Sequence, residues 1–86
     1  MNAPVRYDGG DGSSFDQAVI ILSANILSGT RAEYDYIGHR YPGYQFHRQS
    51  LTGYEGRTFD VLEFTTAAGE EKVIYFDISA HLSKPQ

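Results

Sequence analysis

Two stretches in the last third of the chain alternate apolar and polar residues with a period of two. They run from Thr58 to Thr65 and from Lys72 to Ile78, and they flank a short segment at residues 67–70. An alternation of this period is typical of a strand with one buried face. The pattern therefore predicts a β-hairpin that carries most of the large apolar side chains and organises the rest of the chain.

Three further elements are predicted before this hairpin. Residues 16–23 form a continuous apolar run typical of a strand covered on both faces, with a buried helix start as the competing interpretation. Residues 25–41 form the predicted helix, and residues 44–51 form another strand. The order β-α-β-β-β predicts an α+β fold, a two-layer sandwich with one helix on a mostly antiparallel four-stranded sheet. The helical crossover favours a first strand parallel to the second and fourth, at either edge of the sheet.

The helix is predicted from residues that recur at steps of three and four and form one stripe: Leu27, Thr30, Tyr34, Ile37 and Tyr41. Thr30 and Glu33 have the spacing of a capping box, and Ser28 is an alternative N-cap, so the start is open between residues 25 and 30. Pro42 and Gly43 end the helix. The residues beside the stripe are predicted to be a solvated flank: Glu33, Asp35, Tyr36, His39 and Arg40.

The turns of the predicted sheet set which residues face each other. Gly56 and Gly69 stand where a type I turn followed by a G1 bulge requires a positive φ. In the second hairpin, this turn pairs Leu62 with Ile74. In the first hairpin, the opposed pairs include Leu51–Phe59 and Phe46–Phe64.

These registers divide the sheet into two faces, because successive side chains of a strand alternate. The face predicted to pack on the helix carries Tyr44, Phe46, Arg48, Leu62, Phe64, Ile74, Phe76 and Ile78. Arg48 does not fit this apolar set, and we expect it to reach solvent or to pair with an acid such as Asp60.

The other face carries more apolar side chains than a solvated sheet face should: Leu51, Phe59, Val61, Val73 and Tyr75. Apolar surface of this extent usually marks an interface. We therefore expect residues 1–15, a second copy of the chain, or a different protein to cover it. A homodimer is a common solution, because twofold association buries the same patch on both copies.

Candidate chemistry is sparse. The predicted register sets His47 opposite Glu63, near His39 and Tyr41 at the end of the helix, and these residues are a possible ligand pocket. The histidines lack metal-ligand spacing, and no cofactor or nucleophile motif is present, so we assign no catalytic residue, metal or cofactor. The leading interpretation is a non-enzymatic, self-associating interaction module, and the alternative is a small-ligand binder or minor enzyme.

Composition narrows the class of protein. The chain has 86 residues, no cysteine and a formal net charge of −4. We expect a single domain over residues 1–86, with a loosely ordered leader at 1–14 and a tail at 80–86. The acidic balance argues against nucleic-acid binding. The first residues lack the apolar core of a signal peptide, and no apolar run is long enough to span a membrane, so a soluble cytoplasmic protein is expected.

Three segments carry a resemblance to other proteins. They are residues 10–15, with the sequence GDGSSF, residues 32–37, and residues 74–79, with the sequence IYFDIS. Together they resemble a group of small, uncharacterised bacterial proteins over about residues 8–79. The resemblance implies a free-standing bacterial domain, and it implies no activity, ligand or catalytic residue.

Overall fold

The structure is a computed structural model that describes residues 6–22 and 26–82. Its elements, in chain order, are β1 Arg6–Gly9, β2 Val19–Leu22, α1 Ile26–Arg40, β3 Gln45–Tyr54, β4 Arg57–Thr65, β5 Glu71–Asp77 and α2 Ser79–Leu82. The strands form a mixed sheet in the order β1-β2-β5-β4-β3. The fold is therefore α+β, with a five-stranded sheet where four strands were predicted.

The additional strand, β1, lies in the leader that was predicted to be loosely ordered. It pairs antiparallel with β2, which is shorter than the predicted strand at 16–23. Tyr7 anchors β1, because its hydroxyl donates to the Ala32 carbonyl at 2.8 Å and its ring packs against Tyr36. β1 has the sequence RYDG, so it lacks the apolar alternation from which a strand is predicted.

The placement of β2 settles the open question of the sheet order. β2 runs parallel to β5, with Val19 opposite Phe76. It therefore lies at the β5 edge and not at the β3 edge. The β5 edge is one of the two positions that the sequence predicted for this strand.

Helix α1 follows the predicted period and begins at Ile26, within the predicted range of residues 25–30, but the proposed N-caps do not hold. Because the helix already runs at Ile26, Ser28 and Thr30 lie inside it, and the predicted N-caps are wrong. Ile37 is fully buried, and Tyr34 and Tyr41 pack against the core, whereas the side chains of Leu27 and Thr30 are outside the described part of the chain. In the predicted flank, Asp35, His39 and Arg40 are exposed, but Glu33 is buried and Tyr36 packs on Phe76.

The second hairpin, β4–β5, has the predicted register. Leu62 lies opposite Ile74 and Phe64 opposite Lys72. In its turn, the Gly69 N–H donates to the Thr66 carbonyl at 2.9 Å, and Gly69 has a φ of 87°. This geometry is the predicted type I turn with a G1 bulge.

The first hairpin, β3–β4, has a different turn from the predicted one. Glu55 and Gly56 have φ values of 49° and 77°, which makes a two-residue turn of type I′. The loop is one residue shorter than predicted, so Leu51 lies opposite Asp60 rather than Phe59. A bulge at His47 compensates for this shift, and Phe46 lies opposite Phe64 as predicted.

The core lies between α1 and one face of the sheet. Its buried members are Val19, Ile21, Ala32, Ile37, Leu62, Phe64, Ile74, Phe76 and Ile78. Tyr44 packs at its border as predicted, whereas Phe46 is 42% exposed at the edge strand. We call this side of the sheet the helix face and the opposite side the open face.

Candidate functional site

The corrected register of β3 moves the residues from Arg48 onward to the face opposite the predicted one. Arg48 lies opposite Glu63 and on the open face, not on the helix face as predicted. Its Nε donates to Glu63 Oε2 at 3.2 Å. The core therefore contains no arginine at this position, contrary to the predicted face assignment. Leu51 moves the other way, to the helix face, where it is 69% exposed.

The predicted interface set is therefore divided. Leu51 is not on the same face as the other four residues. Phe59 is 2% exposed, because the ring of Phe15 packs edge-on against it at 5.0 Å. Val61 and Tyr75 are half-buried, and Val73 is 43% exposed. The open face thus keeps only part of the apolar surface that was expected there.

Phe15 directly follows the leader and covers one end of the open face. Its ring stacks on Tyr54 with centroids 4.2 Å apart and packs edge-on against Tyr75 at 4.8 Å. Cover by residues 1–15 was one of the three possibilities considered, but Phe15 itself was not singled out. The available signal was a large aromatic residue within the otherwise polar and glycine-rich segment at 8–17.

The position of Phe15 depends on a close backbone contact at Gly12. The Tyr75 N–H donates to the Gly12 carbonyl at 2.8 Å, so the loop continues the sheet beyond the start of β2. Gly12 has a φ of 83°, and a Cβ there would lie 2.5 Å from Cγ2 of Ile74. Only glycine fits this contact without displacing its neighbours.

Two ion pairs of the described residues lie on the open face. Besides Arg48 and Glu63, Arg57 forms an ion pair with Asp77, whose carboxyl is buried. The Asp77 Oδ1 also accepts the Ser79 N–H at 3.0 Å, which ties α2 to the end of β5. This acid is therefore a structural anchor at the start of the tail.

The four residues of the predicted pocket do not converge. Tyr41 packs on Phe64 on the helix face. His47 and Glu63 lie on the open face, where His47 is hydrogen-bonded to Thr65 and not to Glu63. His39 is exposed at the end of α1, with its Nδ1 2.9 Å from the Asp35 carbonyl oxygen. The sheet separates these groups, so the geometry for an imidazole–carboxylate pair is not formed.

A buried pair of acids lies on the helix face instead. Glu33 on α1 is fully buried, and Asp60 on β4 is 4% exposed. The Asp60 carboxyl is the polar group next to Glu33, and a protonated Glu33 can donate a hydrogen bond to it. Burial, and then the neighbouring Asp60 carboxyl, raise the pKa of Glu33 to about 10. Glu33 is therefore protonated at neutral pH, and it was missed because helix periodicity placed it beside the apolar stripe.

The outer edge of β3 is the remaining candidate surface. β3 is an edge strand, and its register with β4 is regular from Arg48 to Tyr54. The two residues that flank a two-residue turn form a hydrogen-bonded pair, which here is Tyr54 with Arg57. Along an antiparallel ladder, hydrogen-bonded pairs alternate with pairs whose N–H and C=O groups point outward. The N–H and C=O groups of Gln49, Leu51 and Gly53 therefore point away from β4.

The second hairpin supports this assignment independently. The Thr66 N–H donates to the Glu70 carbonyl at 2.8 Å, so the even-numbered residues of β4 bond to β5. The odd-numbered residues of β4 must then bond to β3, and their opposed residues are Arg48, Ser50, Thr52 and Tyr54. Within the described chain, no strand pairs with the outward groups.

No family or function can be assigned to the chain by similarity. Comparison with protein-family models, curated proteins and solved structures gives no match. Among residues 6–22 and 26–82, no three acidic, histidine or cysteine side chains are grouped as metal ligands would be. No described helix has the length and apolar character to cross a membrane.

Proposed function

We propose that this protein is a non-enzymatic interaction module that self-associates, and that the outer edge of β3 is its contact surface. The observation that carries the proposal is the combination of an unpaired, regular strand edge with an exposed leucine at its centre. Exposed edges of this kind pair readily with another strand, and proteins that avoid such pairing usually place charges, prolines or bulges there. Between Gln49 and Gly53, β3 has none of these features.

The helix face of β3 supports the same proposal. Tyr34 reaches from α1 to this strand, where its hydroxyl donates to Gln49 Oε1 at 3.0 Å and its ring contacts Phe46. This cover stops short of Leu51, which at 69% is the most exposed of the large apolar side chains in the described chain. A partner strand would cover this side chain while it satisfies the backbone groups beside it.

The open face is a weaker surface for the same function. Phe15 already covers Phe59, and salt bridges occupy part of the remainder. Val73 is the most accessible of the four predicted interface residues that lie there. It therefore provides a direct comparison with Leu51.

Sedimentation velocity of two charge variants tests the proposal. We expect the wild-type chain to associate at protein concentrations up to about 1 mM, where contacts worth only about 4 kcal/mol become visible. Leu51→Lys should abolish association, because it places a charge at the centre of the edge. Val73→Lys is the matched control, since it adds the same charge to an exposed position on the open face, and it should leave association unchanged.

The opposite result for the two variants would place the contact surface on the open face. If Val73→Lys dissociates the chains and Leu51→Lys does not, the open face is the interface and the role of β3 is refuted. A wild-type chain that remains monomeric over the whole concentration range refutes self-association itself. Circular dichroism of both variants shows that neither result arises from unfolding.

A further inference from the structure

We infer that the occupant of the β3 edge is β3 of a second copy, paired antiparallel about a twofold axis through Leu51. This inference rests on the proposed function and adds the register and the symmetry of the contact. The outward-facing residues are Gln49, Leu51 and Gly53, and they are symmetric about Leu51. Pairing about that residue places Leu51 opposite its copy and Gln49 opposite Gly53 of the second copy. Every outward N–H and C=O group then meets a partner.

On the helix face, the side chains of β3 are compatible with this register. The two exposed Leu51 side chains cover each other across the axis, which removes apolar surface from water on both copies. Gln49, which accepts the Tyr34 hydroxyl, lies opposite a glycine. A glycine there leaves space for the Gln49 and Tyr34 side chains, so their hydrogen bond can persist in the dimer.

The side chains of the open face are also compatible. Arg48 lies opposite Tyr54 of the second copy, where its guanidinium can contact the exposed aromatic ring. Glu55 follows Tyr54 in the turn, so the cationic end of one strand meets an acidic turn. Ser50 and Thr52 oppose each other between these pairs. No like charges oppose each other along the paired segment.

Both ends of the paired segment limit the register. His47 lies in the bulge at one end, and the two-residue turn begins after Tyr54 at the other. Pairing about Ser50 instead would place Gln49 opposite Leu51 and would set Gly53 against the bulge. The outward groups of Gly53 would then lack a regular partner. The register about Leu51 therefore uses the whole regular edge.

Disulfide trapping can read the register directly, because the chain has no cysteine. Hydrogen-bonded antiparallel pairs have Cα atoms about 5.5 Å apart, within the range that a disulfide spans. Leu51→Cys should therefore form a disulfide dimer in a glutathione redox buffer. A mixture of Gln49→Cys and Gly53→Cys should form a mixed dimer. Gln49→Cys alone is the matched control, because its two copies are more than about 13 Å apart in this register.

The outcomes separate this inference from the proposed function. Disulfides from Leu51→Cys and from the Gln49→Cys and Gly53→Cys mixture, but not from Gln49→Cys alone, support the register. A disulfide between Gln49→Cys and Leu51→Cys, with none from Leu51→Cys alone, supports the axis at Ser50 and overturns the inference. Absence of any trapped dimer, while Leu51→Lys still abolishes wild-type association, also overturns the register but leaves the β3 edge as the contact. A wild-type chain that is monomeric refutes both.

Discussion

The two faces of the sheet differ in the side chains that they carry. The helix face is a continuous apolar core, but it contains two buried acids, Glu33 and Asp60. The open face has less apolar contact, and it carries the ion pairs Arg48–Glu63 and Arg57–Asp77. The difference predicts that removing a side chain from the helix face destabilises the fold more than removing one from the open face. Four changes test this contrast.

The largest effect is expected from removing a core aromatic ring. Phe76 is fully buried, so Phe76→Ala should lower the free energy of unfolding by about 3–5 kcal/mol. Phe15→Ala removes a half-buried ring from the open face and should cost about 1–2 kcal/mol. Urea denaturation measures both values. If both variants lose the same free energy of unfolding, the open face is a second core and the two faces do not differ in their contribution to stability.

Gly12→Ala should have the next largest effect, because it affects the loop that positions Phe15. The new Cβ combines a positive φ with a contact of 2.5 Å to Ile74, and we expect a loss of about 2–4 kcal/mol. Gly56→Ala is the matched control, since Gly56 also has a positive φ, 77°, but a Cβ there meets nothing described within 4 Å. It should cost about 1–2 kcal/mol. If the two losses are the same in thermal or urea unfolding, the steric contact at Gly12 is not important.

Glu33→Gln should change how stability depends on pH. The pKa of Glu33 is about 10 in the folded chain and near its ordinary value of 4.5 in the unfolded chain. The unfolded chain therefore releases this proton first, and the contribution of Glu33 is fully present below pH 4.5. It is lost as the pH rises toward 10, by about 1.4 kcal/mol per pH unit.

The variant removes this dependence. Relative to wild type, Glu33→Gln should gain stability from pH 5.5 to pH 8.5 in urea unfolding, with a difference that increases with pH. Glu71→Gln, at an exposed position, is the control and should show no such trend. Parallel pH profiles for wild type and Glu33→Gln would show that Glu33 is not protonated in the folded chain.

The smallest effect is expected at the open-face salt bridge. The side chains of Arg48 and Glu63 are 70% and 36% exposed, so their interaction should contribute less than about 1 kcal/mol. A double-mutant cycle with Arg48→Ala and Glu63→Ala measures the interaction, and 1 M salt should abolish it. A coupling well above that value, or one that salt does not weaken, would indicate that charges also hold the open face together.

The sequence was most informative where side-chain periodicity and turn chemistry agree. The β4–β5 hairpin combines strong alternation with a glycine at the αL position of its turn, and both its register and its core residues were predicted correctly. The β3–β4 hairpin has the same glycine signal, but Glu55 occupies a positive φ that favours glycine or asparagine, so the shorter turn could not be predicted. The face assignments of Arg48 and Leu51 were consequently wrong.

Other features depend on contacts between distant parts of the chain. β1 and Phe15 lie in the polar segment 6–17, whose pattern does not reveal which surface it covers. The burial of Glu33 depends on how α1 is rotated over β4, and a helical stripe fixes that rotation only approximately. The residues of the predicted pocket lie apart because Tyr41 packs on the helix face, whereas His47 and Glu63 lie on the open face.

The parallel pairing of β2 with β5 also has a consequence for folding rates. The β3–β4 and β4–β5 contacts are local, whereas Val19 and Phe76 lie near opposite ends of the described chain. Closing so long a loop is slow compared with forming a hairpin, so the N-terminal strands should dock after β3, β4 and β5 have assembled. The amide hydrogen of Tyr75, which is bonded to Gly12, would then exchange whenever the leader detaches, while its neighbours bonded to β4 remain protected.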